Sequence, residues 1–126
     1  MPALPALPVA RLLALACLLA FPLSACVAGQ ANPSAGRASE LASLVSRSVA
    51  CKAGYPRAST LDRFIAAEVA RGATPEQVAG ARSTYVTVSE AETINQDIQP
   101  QACLPEERAA VKERMSRIRA GKFDAL

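Results

Sequence analysis

Cysteine is the most reactive side chain in this sequence, and it occurs at four positions, Cys17, Cys26, Cys51 and Cys103. Thiols can take a covalent group, form disulfides, bind metal ions or carry out redox chemistry. The sequence has no CxxC spacing and no histidine, and Cys51 and Cys103, the pair outside the N-terminal segment, do not by themselves complete a tetrahedral zinc site. We therefore expect no metal and no cofactor, and the covalent uses of cysteine remain.

The first two cysteines belong to an apolar N-terminal segment. Arg11 is the only charged residue before position 37, and an apolar run extends from Leu12 to Leu23. One positive charge, a short apolar run and small residues after it are typical of a secretory signal peptide.

The residues Leu23-Ser24-Ala25-Cys26, which close this run, resemble the lipobox of bacterial lipoproteins. The resemblance implies that a diacylglycerol is attached to the sulfur of Cys26 and that residues 1–25, the signal peptide, are then removed. Mature lipoproteins of this kind usually carry three acyl chains such as palmitate, and two are enough for stable membrane anchoring. Position 27 is valine, not the aspartate of many inner-membrane lipoproteins. The resemblance thus favours an outer-membrane anchor with the protein facing the periplasm.

Two other interpretations of this segment stay open. Leu12 to Gly29 is an uncharged stretch that reaches the lower length limit of a transmembrane helix. Pro22, Ser24 and the small residues that follow weaken a spanning helix and favour processing. The alternatives are secretion without lipid and an uncleaved anchor.

The other two cysteines predict a disulfide. Removal of the leader discards Cys17 and lipid consumes Cys26, which leaves Cys51 and Cys103 in an oxidising compartment. A disulfide between them would close a loop of about 52 residues and stabilise the fold by about 4 kcal/mol in the chain-entropy model. Free or intermolecular cysteines are the alternative.

The rest of the chain predicts one small all-α domain. Residues 26–38 are small and polar and are interrupted by Pro33 and Gly36, which indicates a flexible tether behind the lipidated cysteine. Residues 39–126 show helical periodicity in four segments, so we expect a bundle of about four helices. The expected inward positions are Leu41, Leu44, Val45, Ser48 and Val49 in the first helix, Leu61, Phe64, Ile65 and Val69 in the second, Val78, Ala81, Tyr85 and Val88 in the third, and Leu104, Val111, Met115 and Ile118 in the fourth.

Capping signals predict where the middle helices begin. Ser59 and Asp62 resemble a capping box, so the second helix is expected to start at Ser59 or the next residue and to end at Gly72. Thr74 and Gln77 form a stronger box, because proline follows the threonine at the first helical position.

The third helix is expected to continue to about Ile94. The segment Ser83–Val88 is rich in β-branched residues and is consistent with a short strand, but no second strand-like run exists to pair with it, so we prefer a helix. The segment Asn95–Gln101 is expected to be a loop, and Pro105 to about Ala120 the last helix.

Enzymatic activity is not expected. Nucleophilic catalysis by serine needs a base, and without histidine only a carboxylate, a lysine or another unusual base could serve. Glu90 and Glu92 are two residues apart, so they lie on different faces of a helix. We therefore predict no catalytic residues.

The charge is mild but unevenly distributed. Without Arg11, 13 of the 14 basic residues remain against 11 acidic ones, a net charge of +2 that does not favour nucleic acid as a partner. In the last helix, Arg108, Lys112 and Arg119 fall within about 40° of one another. They form a possible basic contact strip for anionic headgroups, lipopolysaccharide or an acidic partner. The alternative is an ordinary solvated face, partly offset by a Glu113–Arg117 pair.

Two classes of function follow from these features. The first is a lipid-anchored interaction module, an accessory component of the cell envelope with an envelope protein as a possible partner. The second is a small periplasmic stress or chaperone-like protein that contains a disulfide. The anchor and the tether favour the first.

Overall fold

The computed structural model describes residues 32–126, and within that range it contains four helices and no strand. The helices are α1 (Pro33–Ala50), α2 (Thr60–Ala70), α3 (Pro75–Ile98) and α4 (Pro105–Arg119). The predicted all-α fold with about four helices and one disulfide is confirmed. The predicted signal peptide, Cys26 and the first residues of the tether lie outside the described residues. No helix of residues 32–126 is both long enough and apolar enough to cross a membrane.

The first helix begins earlier than expected. Asn32 caps α1, because its Oδ1 accepts a hydrogen bond from the Ala35 N–H at 3.1 Å, and Pro33 occupies the first turn. The prediction of a tether up to residue 38 was therefore wrong, since proline at this position starts a helix instead of breaking one. The domain begins at Asn32, not at residue 39.

The same asparagine joins the start of α1 to α3. Asn32 Nδ2 donates to the carbonyl of Gln77 at 3.1 Å. A Cβ atom added to Gly80 would lie 2.6 Å from that nitrogen, so glycine is required for this close approach. This contact fixes the N-terminal ends of both helices relative to each other.

The core is built around α1, which packs along α3 and also contacts α4. The ring of Phe64 from α2 meets that of Phe123, beyond α4, edge to face with centroids 5.7 Å apart. The core residues are Ala38, Leu41, Leu44, Val45, Cys51, Ala53, Phe64, Ile65, Ala81, Val111, Met115, Ile118 and Phe123. The predicted inward positions of Val49, Val69 and Leu104 were wrong, because these side chains are exposed.

The carboxylate of Glu68, and not the expected side chain of Val69, faces the core from α2. Glu68 is 3% exposed, and its oxygens accept hydrogen bonds from Ser34 Oγ at 2.8 Å and from Arg37 Nε at 2.9 Å. The Arg37 guanidinium also donates to the carbonyls of Phe123 and Leu126. The ion pair thus joins α1 to α2, and the hydrogen bonds of Arg37 join both to the C-terminal residues.

Both α2 and α3 start where the sequence predicts, but only α3 forms the predicted capping box. The Gln77 N–H donates to Thr74 Oγ1 at 3.2 Å, and the Thr74 N–H donates to Gln77 Oε1 at 2.9 Å, so the predicted capping box is confirmed. Ser59 is the N-cap of α2, but its side chain makes no capping hydrogen bond, so the box with Asp62 was wrong.

The third helix is longer than expected. The segment 83–88 is helical, as predicted, and α3 continues past Ile94 to Ile98. The expected loop from Asn95 therefore begins only at Gln99. Pro100 gives the physical reason, because the residue before a proline is disfavoured in helical conformation and no earlier residue breaks the helix.

Two contacts attach α4 to the end of α1. The predicted disulfide joins Cys51, the C-cap of α1, to Cys103, and their Cα atoms are 5.2 Å apart. Arg47, one turn earlier, forms an ion pair with Glu107 and donates to the carbonyl of Ala102 at 2.9 Å. These contacts fix the start of α4, and Val111, Met115 and Ile118 then face inward as predicted.

We predict that Glu68→Ala lowers the free energy of unfolding by about 3–5 kcal/mol, because it leaves the Arg37 charge in a largely buried site without its carboxylate. Urea denaturation followed by circular dichroism measures this change. The matched control is Asp62→Asn, which breaks the exposed ion pair with Arg82 and should cost less than about 1 kcal/mol. Equal effects of the two substitutions would contradict the role given to Glu68.

Candidate functional site

The predicted basic strip forms one wall of a groove. Arg108, Lys112 and Arg119 lie on the same face of α4, and the segment that follows α1 brings Lys52 and Arg57 to the same groove. The cavity has a volume of about 610 Å³. We call this site the basic groove, and its lining residues are Lys52, Ala53, Gly54, Arg57, Arg108, Lys112, Met115, Ser116, Arg119 and Ala120.

Lys52 and Arg57 were missed from the sequence, because they lie more than 50 residues before the strip. A signal for Lys52 was nevertheless present. Lys52 follows Cys51, and the predicted partner of Cys51 is Cys103, which comes just before α4. The expected disulfide therefore places a lysine near the start of the helix that carries the strip.

The floor of the groove is apolar. Met115 and Ala53, which are 1% and 6% exposed, are among the lining residues. Gly54, at φ 126°, occupies a backbone conformation that favours glycine, and a Cβ there would lie 4.0 Å from the Met115 Cβ. The site thus has charged walls and an apolar base.

No carboxylate lines the basic groove. The salt bridges in residues 32–126 use Arg37, Arg47, Arg82 and Arg117, and none involves the five cations of the groove. The predicted Glu113–Arg117 pair forms, with Nη2 2.6 Å from Oε1, but neither residue lines the groove. The pair therefore does not neutralise the groove cations at close range.

Helix dipoles explain only part of this arrangement. Lys52 and Arg119 lie at the C-terminal ends of α1 and α4, where a positive charge is favourable. Arg108 is the fourth residue of α4, close to the positive end of that helix, and Arg57 lies in the loop before α2. Neither gains from a helix C-terminus, so the dipoles do not account for the convergence of the five charges.

Lys52 lies where glycine is the usual residue. Its φ is 50°, its N–H donates to the Val49 carbonyl at 3.1 Å, and the next N–H donates to the Ser48 carbonyl at 2.9 Å. This is a Schellman motif, and the same pattern ends α2 and α4 with Gly72 and Gly121 in the left-handed position. A lysine at this position carries a conformational cost and adds a charge to the groove.

One cluster has the composition of a metal site. The sulfurs of Cys51 and Cys103 and a carboxylate oxygen of Glu107 lie within 4.8 Å of one another. The sulfurs are joined in a disulfide and offer no thiolate. A hydrogen bond from Arg47 is the main cause that lowers the pKa of Glu107, and desolvation opposes it. We therefore assign this cluster to the attachment of α4.

The chain matches no protein family model, and no curated protein or solved structure shows significant similarity to it.

We predict that Lys52→Gly raises the free energy of unfolding by about 1 kcal/mol relative to Lys52→Ala. Both variants lack the charge, but only glycine relieves the left-handed backbone. Chemical denaturation of the two purified variants measures the difference. Equal stabilities would show that this backbone conformation carries no cost.

Proposed function

We propose that this protein is a lipid-anchored, periplasm-facing module of the cell envelope that binds an anionic component through the basic groove. The observation that carries the proposal is the convergence of five cations on one groove that no carboxylate lines. The lipobox at Leu23 to Cys26 supports the anchor, and Val27 supports the outer membrane.

The structure changes the expected length of the tether. The domain begins at Asn32, six residues after Cys26, and six extended residues span at most about 20 Å. A lipid on Cys26 would therefore keep the start of α1 near the membrane. Lys52 follows the other end of this 18-residue helix, about 27 Å away. The groove therefore lies at the end of α1 opposite Asn32, and its five cations are exposed to an envelope component.

Binding is proposed rather than catalysis because of the chemistry of the groove. Its charged residues are arginines and lysines, and the whole chain contains no histidine. A lysine acts as a general base when burial removes its hydration, and Lys112, next to Ser116 in the groove, is exposed. The groove therefore offers positive charges for recognition and no activated nucleophile.

The anchor is tested by metabolic labelling with radioactive palmitate in a bacterium that expresses the tagged chain. We expect label in the wild type and its loss in Cys26→Ala. The matched control is Cys17→Ala, which should retain the label because this cysteine lies in the predicted leader. Label that persists in Cys26→Ala would contradict the proposed anchor.

The groove is tested by cross-linking and affinity purification from solubilised envelopes. We expect one stoichiometric component with the wild type and with Arg114→Gln, an α4 arginine outside the groove. The triple variant Arg108→Gln, Lys112→Gln and Arg119→Gln should lose it. Retention by the triple variant, or a diffuse set of weakly bound proteins as a chaperone would give, would contradict the proposal.

A further inference from the structure

We propose that the ligand of the basic groove is a compact anion that carries at least two phosphate groups. This inference depends on the proposed function only in taking the groove as the contact surface. It names the chemistry that the groove recognises, whichever component of the envelope supplies it.

The size of the groove favours a compact ligand over a protein surface. Its volume of about 610 Å³ lies within the range of small-molecule sites, about 300–1,000 Å³. A specific protein interface usually buries more than about 1,000 Å² and extends well beyond one groove. The five cations line this single groove, so the charge is concentrated as a small ligand requires.

The number and type of cations favour phosphate over carboxylate. A lone carboxylate brings one negative charge and would leave most of the five positive charges without a partner. A phosphate group has several acceptor oxygens, and arginine binds it through two parallel hydrogen bonds while lysine acts as a point charge. Arg57, Arg108 and Arg119 supply the planar groups, and Lys52 and Lys112 the point charges. Two linked phosphates fit this set better than one.

The five cations that line the groove are exposed, whereas Ala53 and Met115 are buried. The buried apolar lining residues Ala53 and Met115 offer no hydrogen-bonding side chain. The phosphates are therefore expected at the charged rim, with the non-phosphate part of a larger ligand over Met115. A lipid headgroup and a soluble phosphate ester share this chemistry.

Isothermal titration of the purified full chain in detergent tests the inference, with inorganic pyrophosphate as the probe and citrate as a carboxylate of comparable charge. We expect saturable pyrophosphate binding that is at least about tenfold tighter than citrate binding, because charge-assisted bidentate contacts are the strong ones. Equal binding of the two anions, or no binding of pyrophosphate, would overturn the inference.

Matched variants locate the binding site. Arg108→Gln and Arg119→Gln should each weaken pyrophosphate binding by about tenfold, the loss of one charge-assisted contact. Arg114→Gln, on the same helix but outside the groove, should change it by less than about twofold. These arginines are exposed, so the fold should persist, and circular dichroism checks it. Equal losses in all three variants would indicate general attraction to net charge and would overturn the inference.

A second arm identifies the source of the phosphate. Vesicles of phosphatidylcholine with cardiolipin, whose headgroup carries two phosphates, are added to the wild type and to Arg108→Gln, which share the same N-terminal segment. Vesicle binding beyond that to phosphatidylcholine alone that needs Arg108 and is displaced by pyrophosphate indicates a lipid headgroup, and pyrophosphate binding without this additional vesicle binding indicates a soluble ligand. Capture of an acidic polypeptide by a chain that does not bind pyrophosphate would overturn the inference.

The titration does not depend on Cys26, so its failure is distinct from failure of the anchor.

Discussion

The attachment of α4 to the end of α1 is the constraint on which the rest of this structure depends. Only three side chains of α4 are buried, so this helix gains little from apolar packing alone. The disulfide removes much of the freedom that residues 51–103 would have in the unfolded chain. Arg47 then orients the first turn of α4 through Glu107. A covalent bond and an ion pair, one turn apart on α1, together hold a helix that its own core contacts would hold weakly.

The basic groove is a consequence of this attachment. Cys51 is followed by Lys52 in a left-handed turn, and the disulfide brings that turn to α4. Arg108 and Lys112 then line one groove together with Lys52 and the buried Met115. Repulsion among these cations opposes the packing of α4, and the disulfide offsets it. The basic groove thus concentrates like charges, and it depends on the disulfide, a covalent bond whose strength does not change with salt concentration.

The features that could be predicted from the sequence either involve neighbouring residues or allow few alternative pairings. The box of Thr74 and Gln77 needs only neighbouring residues, and the disulfide followed from having two cysteines left. The burial of Glu68 could not be predicted, because its partner Arg37 lies 31 residues away on another helix. The strip on α4 was found from helical spacing, whereas its convergence with Arg57 needs the tertiary fold. The start of α1 was missed because a proline such as Pro33 breaks a helix in its interior but is favoured at the first helical position.

Native-state hydrogen exchange of the wild type and of the double variant Cys51→Ser, Cys103→Ser tests this account most directly. The amides of α4 should lose the most protection in the variant, while those of α1 near Leu41 and of α2 near Phe64 retain more of theirs, because α1 packs mainly along α3 and α2 also contacts α3. Protection that is unchanged in α4, or that falls equally in all four helices, would contradict the claim that the disulfide specifically holds α4 and the groove that it forms.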